Sequence, residues 1–462
     1  MPELFFLSIA EAGRQIRAGR LSPRELVEVH LKRIADVDPK IRAYITTVPE
    51  VARRQAREAE AGPTAGGLRG IPVSYKDLIA TAGIKTTAAS RVYAEWVPAR
   101  DAYPVTRMRR SGAVTLGKAT LNEFAFSPTS DQDFVTPARN PWNAALSTGL
   151  SSSGSAAAVA AGLAMGSIAT DSGGSIRIPA SYCGVTGIKP TYGLVGRTGV
   201  IPLSYSCDHV GALARSAEDV AILLTGLAGH DAEDPACVTR PPRDYTAGLS
   251  SGIRGLRFGV PRRYMEAVGV DTEVLAAYEE SIKVLQSLGG SVREVDVPYL
   301  AYAPGADFTI LRVEGFNVHL ANLREKHDLY SAGCFRQIAA GGYLSATDYY
   351  RAQQARTLIS ESLAKTFTTI DVLVTPTTPQ TAAAGVFAKA PQDQKVARSG
   401  VGFLAPFNLT GSPAISIPGG FNRASLPIGL QLVGRAFEED TILRSAHSYQ
   451  GATDWHQRRP PL

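Results

Sequence analysis

The sequence predicts an α/β fold, because short β-rich segments alternate along the chain with segments of helical character. Glycine-bounded runs typical of buried strands lie at residues 70–77 ("GIPVSYKD") and 112–119 ("GAVTLGKA"). Three more strand candidates follow near the C-terminal end, at residues 371–377, 413–420 and 427–434. Strands separated by helical segments favour an α/β sandwich.

The segments between these strands have helical patterns. Residues 7–38 are expected to be helical, with a capping box in "SPREL" that places Ser22 at the N-cap, and with Pro39 closing the segment. A second helix is expected over residues 48–60. Residues 269–365 are mostly helical in pattern, and "VLAAYEESIKVLQSLGG" is their clearest amphipathic run.

The composition indicates a globular chain with a large core. Of the 462 residues, 44% are hydrophobic and 19% are charged, and the net charge is a mild +6. No run of five basic residues occurs, so a nucleic-acid surface is not indicated. An uninterrupted apolar stretch of about 18 residues, which a membrane span needs, is also missing from the sequence. We therefore expect a cytoplasmic protein that contacts neither nucleic acid nor membrane, and the scattered cysteines, without CxxC spacing, predict no metal site.

The serine-rich segment "LSTGLSSSGS" (residues 146–155) needs an explanation. Gly149 and Gly154 have the spacing of a phosphate-binding loop, but Ser155 and Ala156 follow where that loop requires Lys and Ser/Thr. A nucleophile elbow would need glycine where Ser153 stands, together with a committed histidine. Both alternatives are therefore disfavoured.

A third interpretation uses two other parts of the chain. In "DSGGS", two glycines directly precede Ser175, and glycines there allow backbone N–H groups to converge as an oxyanion hole. Lys76 ends an apolar strand, where burial would lower its pKa by disfavouring the charged form. A serine beside oxyanion donors, a second serine cluster and a buried lysine suit acyl transfer without histidine.

These segments resemble the amidase signature family, the amidohydrolases with a Ser–cis-Ser–Lys triad. The resemblance covers residues 20–450, is densest over 70–220, and rests on "GLSSSGS", "ATDSGGSIRIP", "CGVTGIKPTYG", "PFNLTGSPAISIPGG" and "LPIGLQLVGR". It implies one amidase domain over residues 1–462, built on a large mixed central β-sheet covered by helices on both sides.

The resemblance also divides the domain. It implies N-terminal helices over residues 1–65 and a signature core over 66–225. A variable, mostly helical substrate-pocket insert would follow over 226–370, and C-terminal strands over 371–462 would complete the sheet.

The triad can be transferred residue by residue. The resemblance implies that Lys76 of "SYKD" is the base and that Ser175 of "GGSIR" is the nucleophile. The family's cis-serine precedes its nucleophile by 24 positions, which matches Ser151 here and implies a cis Leu150–Ser151 peptide. Ser152 would support this relay by hydrogen bonding. The family has glycine where this chain has Leu150 and Ser153, which puts the geometry of this loop, but no reacting atom, in doubt.

The oxyanion loop follows from the same match. Asp171 and Arg177 correspond to residues that hold the loop in place and do not react. The oxyanion donors implied by the resemblance are the backbone N–H groups of Ser172, Gly173, Gly174 and Ser175.

The substrate pocket is expected to be apolar. Its walls would include Phe126, Ser127, Thr129 and Tyr205, together with the aromatic-rich insert near residues 300–345. The resemblance therefore favours a stand-alone amidase or urethanase for small apolar or aromatic amides or carbamates, acting without a cofactor or metal as a monomer or homodimer.

The alternative is the glutaminase (A) subunit of a tRNA-dependent amidotransferase, which resembles this chain through the core. That glutaminase typically has an aspartate shortly before its N-L-x-G-x-P segment, to hold the amino group of glutamine. Residues 397–407 contain no acid here, which disfavours glutamine.

Overall fold

A computed structural model describes residues 3–62, 67–126, 134–383 and 400–462. Within these ranges, eleven strands form one sheet. The strands are β1 (Tyr44–Thr47), β2 (Pro72–Lys76), β3 (Val114–Ala119), β4 (Gly166–Asp171), β5 (Thr186–Lys189), β6 (His209–Ala214), β7 (Arg257–Val260), β8 (Ser291–Glu294), β9 (Val372–Pro376), β10 (Ala414–Phe421) and β11 (Pro427–Val433).

The sheet is mixed, as the sequence predicts. Its strand order is β1-β3-β2-β4-β6-β5-β10-β11-β9-β7-β8. Strand β2 is parallel to both β3 and β4, and β7 is parallel to both β8 and β9, whereas the other neighbouring pairs are antiparallel. Because β2 and β4 run in the same direction, their last residues, Lys76 and Asp171, lie at the same edge of the sheet.

Fourteen α-helices lie in the described ranges, and none of the helices there is long and apolar enough to cross a membrane. They are α1 (Ile9–Arg17), α2 (Pro23–Ile41), α3 (Pro49–Ala61), α4 (Tyr103–Arg110), α5 (Ser153–Ala160), α6 (Arg177–Cys183), α7 (Ala217–Leu227), α8 (Arg262–Val268), α9 (Thr272–Ser287), α10 (Ala303–Glu325), α11 (Ala332–Ala339), α12 (Ala346–Phe367), α13 (Ala405–Leu409) and α14 (Glu439–Gly451).

The predicted helices over residues 7–38, 48–60 and 269–365 are confirmed by α1 to α3 and by α9 to α12. Helix α2 begins after Ser22, whose hydroxyl oxygen accepts the N–H of Glu25 at 3.0 Å. Pro39 does not close the helix as expected, since α2 continues to Ile41. Pro39 lies in the last turn of α2, so the missing N–H donor and the clash of its ring affect only the end of the helix.

Both faces of the central sheet are covered. Every residue of β2, β3, β4, β6 and β11 is buried. Successive side chains of a strand point to opposite faces, so complete burial requires packing on each face. Strands β4 to β6 were not predicted from the sequence, since segments such as "GSIATD" carry glycine, serine and aspartate where a typical strand alternates β-branched residues.

Helix α5 starts at the serine-rich segment and is buried on all sides, and its second residue, Gly154, lies against the chain that follows β3. The N–H of Gly154 donates to the carbonyl of Thr120 at 3.0 Å. A Cβ atom at this position would lie 2.5 Å from the backbone N of Thr120, closer than real Cβ contacts allow. This close approach fixes the position of the start of α5, and therefore of Ser151 and Ser152, which directly precede the helix.

Gly154→Ala is expected to lower the free energy of unfolding by about 1–3 kcal/mol, because the added methyl group must displace backbone. Denaturant unfolding measures the change. Gly305→Ala in α10 is the matched control, since nothing lies within 4 Å of a Cβ added there. Equal unfolding midpoints for Gly154→Ala and the wild type would contradict this packing of α5.

Candidate active site

Lys76 ends β2 inside the protein, where its side chain is completely buried. Its Nζ lies 2.7 Å from Oγ of Ser151, 3.0 Å from Oγ of Ser152 and 2.9 Å from Oγ1 of Thr170. The structure thus brings together three side chains that the sequence had singled out. Thr170 is a fourth member, which the sequence patterns did not indicate.

The environment of Lys76 favours its neutral form. Burial lowers the pKa of Lys76 to about 7, although the negative charges of Asp171 and Asp208 act in the opposite direction. No carboxylate of the described residues forms an ion pair with this lysine. An amine with a pKa near neutrality is available as a base at ordinary pH.

The hydrogen bonds also set the direction in which a proton can move. The hydroxyl of Ser152 donates to the backbone carbonyl of Thr170 at 3.0 Å, so its oxygen can only accept from Lys76. A neutral amine has two N–H donors and one lone pair. If Ser152 and Thr170 accept the two N–H groups, the lone pair is left for the hydroxyl proton of Ser151.

Ser175 lies directly against the serine-rich segment, because its carbonyl accepts the N–H of Ser152 at 3.2 Å. Its own hydroxyl group has no hydrogen-bond partner within the part of the chain that the structure describes.

The expected cis peptide before Ser151 is wrong, since the described residues contain no cis peptide bond. A trans bond avoids the ~3–4 kcal/mol cost of a cis bond at a non-proline residue. The trans form already places Oγ of Ser151 2.7 Å from Nζ of Lys76, so this contact does not require the cis form.

Asp171 shapes the loop that precedes Ser175. Its carboxylate accepts the N–H of Gly174 at 2.7 Å and the N–H of Ile176 at 3.1 Å. Gly174 has a φ of +116°, a conformation that strongly favours glycine. The expectation that Gly174 is an oxyanion donor is therefore wrong, because its N–H is already used. The N–H groups of Ser172, Gly173 and Ser175 have no acceptor among the described residues and stay available.

Arg177 holds Asp171 from the opposite side. Both side chains are fully buried, and Asp171 accepts from Nη2 of Arg177 at 2.9 Å and from Nε at 3.0 Å. The same guanidinium donates to Asn408 at 2.6 Å and to Gln431 at 2.9 Å. Burial alone would raise the pKa of Asp171, but the charge and hydrogen bonds of Arg177 hold it below its usual range. Asp171 and Arg177 thus fasten the loop to the C-terminal part of the sheet.

The loop residue Ser172 is held by a second acid. Its hydroxyl donates to Oδ1 of Asp208 at 2.5 Å. The other oxygen of Asp208 accepts the N–H groups of Leu203 and Ser204 at 2.8 and 3.0 Å. Burial raises the pKa of Asp208 despite these hydrogen bonds. The loop is therefore fixed at both of its ends.

The predicted pocket residues are only partly brought together. Phe126 packs on α10, where a Cβ on Gly315 would lie 2.8 Å from Cζ of its ring. Tyr205 is 59% exposed and lines a cavity of about 480 Å³ that also reaches Thr170. Ser127 and Thr129 lie outside the described residues.

Leu150, one of the two departures from the family pattern, has a packing role. It contacts a buried apolar cluster that includes Ile178 and Leu404. Ser153, the other departure, is buried at the start of α5. These residues anchor the serine-rich segment on the elements that flank the oxyanion loop.

Comparison with known proteins relates this chain to a described family. The family model described as Amidase matches residues 25–443. The chain is 40% identical to the A subunit of the glutamyl-tRNA(Gln) amidotransferase of Acinetobacter baumannii (strain AYE), in an alignment that covers 100% of this chain and 99% of that protein.

Solved structures of other proteins are also similar to this chain over nearly its whole length. One, described as part of an unexpected vestigial protein complex that reveals the evolutionary origins of an s-triazine catabolic enzyme, has a TM-score of 0.90 and 30% identity, over 96% of this chain and 98% of the other. Another, 6-aminohexanoate cyclic dimer hydrolase complexed with substrate, has a TM-score of 0.89 and 29% identity, over 99% of both chains.

Asp171→Asn is expected to lower the free energy of unfolding by about 3–5 kcal/mol, because Arg177 would keep a buried, uncompensated charge. Denaturant unfolding tests this. Asp36→Asn is the control, because Asp36 pairs with Lys32 on the surface and its loss should cost about 0–1 kcal/mol. Losses of equal size for the two variants would show that the buried pair does not hold the loop.

Proposed function

The chain belongs to the amidase family of hydrolases that act on carbon–nitrogen bonds, and on that basis we propose that it cleaves amides through Ser175, with Ser151 as relay and Lys76 as base. The observation that carries this proposal is the 2.7 Å contact between Nζ of a buried Lys76 and Oγ of Ser151. A buried lysine that forms no ion pair with a carboxylate has an evident use as a base.

The proposed reaction has two acyl-transfer steps. Lys76 takes the proton of Ser151, which takes that of Ser175, while Oγ of Ser175 bonds to the substrate carbonyl carbon. The resulting oxyanion is held by N–H groups of Ser172, Gly173 and Ser175, and each such donor is worth about 3 kcal/mol. The carbon–nitrogen bond then breaks, and the relay returns the proton to the leaving nitrogen. Water attacks the acyl-enzyme by the same route and releases the acid.

Two substrate classes compete: glutamine, and small apolar or aromatic amides or carbamates. The comparisons favour glutamine, which the sequence patterns ranked second. Identity of 40% over the whole chain to the glutamyl-tRNA(Gln) amidotransferase protein supports glutamine as the amide that is hydrolysed. The carbamate substrate stays a prediction from the sequence. Two observations support a stand-alone amidase instead. The chain is similar to 6-aminohexanoate cyclic dimer hydrolase, and residues 397–407 contain no acidic residue that could hold the amino group of glutamine.

The same comparisons bear on partners. One relative is named as one component of a larger enzyme, and one structural neighbour is described as belonging to a vestigial protein complex. We therefore include a second polypeptide among the proposed partners, beside the small-molecule amide. The monomer or homodimer expected from the sequence corresponds to the stand-alone amidase.

A substrate panel on the purified chain separates these possibilities. The panel consists of L-glutamine, an aryl p-nitroanilide and a p-nitrophenyl carbamate, each assayed with the wild type and with Ser175→Ala. Hydrolysis of glutamine alone supports the glutaminase, whereas hydrolysis of the anilide or carbamate without glutamine supports a stand-alone enzyme. Turnover that survives in Ser175→Ala would contradict the proposed mechanism for that substrate.

Lys76→Met and Ser175→Ala are each expected to lower kcat by at least about 10³-fold, since each removes a member of one proton relay. Steady-state kinetics on the best panel substrate measures the loss. Lys40→Met, at an exposed position in the last turn of α2, controls for the loss of a lysine charge. Full activity in Lys76→Met would exclude Lys76 as the base.

The rate should also depend on the protonation of Lys76. Because burial lowers the pKa of Lys76 to about 7, kcat/KM should rise with pH through neutrality and fall as the amine is protonated at lower pH. A pH–rate profile from pH 5 to 9 measures this limb. A profile that is still rising about tenfold per pH unit at pH 9, as for an exposed lysine with a pKa of about 10.4, would contradict a base that is neutral near pH 7.

A further inference from the structure

A buried acid outside the proposed triad faces the oxyanion loop. Asp307, on α10, is 4% exposed, and its Oδ1 has no hydrogen-bond partner among the described residues. A Cβ placed on Gly173 would lie 3.0 Å from Oδ2 of Asp307 and 3.6 Å from Cδ1 of Leu311. The carboxyl group therefore lies directly against one of the proposed oxyanion donors.

The basic groups near Asp307 do not satisfy it. Three guanidinium groups act on its charge, those of Arg177, Arg312 and Arg356. Arg356 donates to the carbonyls of Leu409 at 2.5 Å and Ser206 at 3.0 Å, and Arg312 donates to Gln337. Arg177 is committed to Asp171 and to the C-terminal residues described above. Each of these three cations thus donates elsewhere and leaves the carboxyl of Asp307 unpaired.

An unpaired buried carboxyl group destabilises the folded protein unless a ligand forms a hydrogen bond with it. Burial raises the pKa of Asp307 well above its usual range, and the negative charge of Asp171 adds to the shift. A buried polar atom without a partner is destabilising, so an acceptor of this kind is a candidate contact for a substrate. Its place beside Gly173 puts it next to where the proposed mechanism holds the substrate carbonyl.

We infer that Asp307 is a specificity-determining residue that accepts a hydrogen bond from a nitrogen-bound hydrogen on the acyl part of the substrate. This inference rests on the proposed function, since it takes the loop of Gly173 as the oxyanion site. It selects substrates with an amino or carboxamide nitrogen near the scissile carbonyl over isosteric hydrocarbon chains. A site built to bind such an N–H group rejects the analogue that lacks it.

Binding to a protein that cannot turn over tests the inference without relying on catalysis. The probes are glycine p-nitroanilide and propionic p-nitroanilide, which differ by an amino group in place of a methyl group. Isothermal titration of the Ser175→Ala protein should show at least about tenfold tighter binding of the glycine probe, equal to about 1.4 kcal/mol. Adding Asp307→Asn should reduce this preference to less than about threefold, because a side-chain amide, unlike a carboxyl group, cannot become a negatively charged acceptor for the amino group of the probe.

The control is Glu325→Gln in the same background, because Glu325 is an exposed acid at the far end of α10. It should retain the full preference. Equal affinities for the two probes before Asp307 is changed, or an equal loss of both affinities on Asp307→Asn, would overturn the inference. Turnover that survives in Ser175→Ala in the substrate panel would contradict the proposed mechanism. That outcome is measured as catalysis and is therefore distinguishable from both of these binding results. If Asp307→Asn does not fold, Asp307→Ser provides the second variant, with the same expected loss of preference.

Discussion

The buried ion pair between Asp171 and Arg177 is the contact on which the candidate site depends. It places the carboxylate so that the N–H groups of Gly174 and Ile176 bind it, and this sets the path of the loop before Ser175. The guanidinium also reaches residues of α13 and β11, so segments far apart in sequence must assemble before the loop takes its shape. Two charges removed from water need such complete hydrogen bonding to be tolerated.

One member of this pair, Asp171, also affects the pKa of the proposed base, Lys76. Asp171 lies close enough to Lys76 for its negative charge to raise the pKa of the lysine. Burial is the larger effect, so the pKa of Lys76 nevertheless falls to about 7. Among the described residues, Lys76 forms hydrogen bonds only with hydroxyl groups, which can pass a proton and carry no negative charge that would favour the ammonium form. Burial, rather than the ion pair, thus leaves Lys76 able to act as a base.

The sequence predicted the mixed sheet, half of the described α-helices and the meeting of Lys76 with Ser151, because these depend on local patterns and on a family motif. It could not predict the contributions of distant elements. Thr170 was missed because its strand lacks the usual pattern, and the use of the Gly174 N–H depends on one rotamer of Asp171. Asp307 lies in the insert near residues 300–345 that was expected to line the pocket, but only tertiary packing shows that this acid reaches the loop.

Direct titration of the Lys76 amine tests whether the buried lysine is a neutral base. Protein labelled with ¹³C at the lysine Cε positions would be followed by NMR over pH 5–11, and the Lys76 signal would be identified by its loss in Lys76→Met. We expect a midpoint near a pKa of about 7 for this signal, while exposed lysines titrate near the ordinary value of about 10.4. A Lys76 signal that stays in the charged form up to pH 10 would contradict a neutral Lys76 and the proton relay built on it.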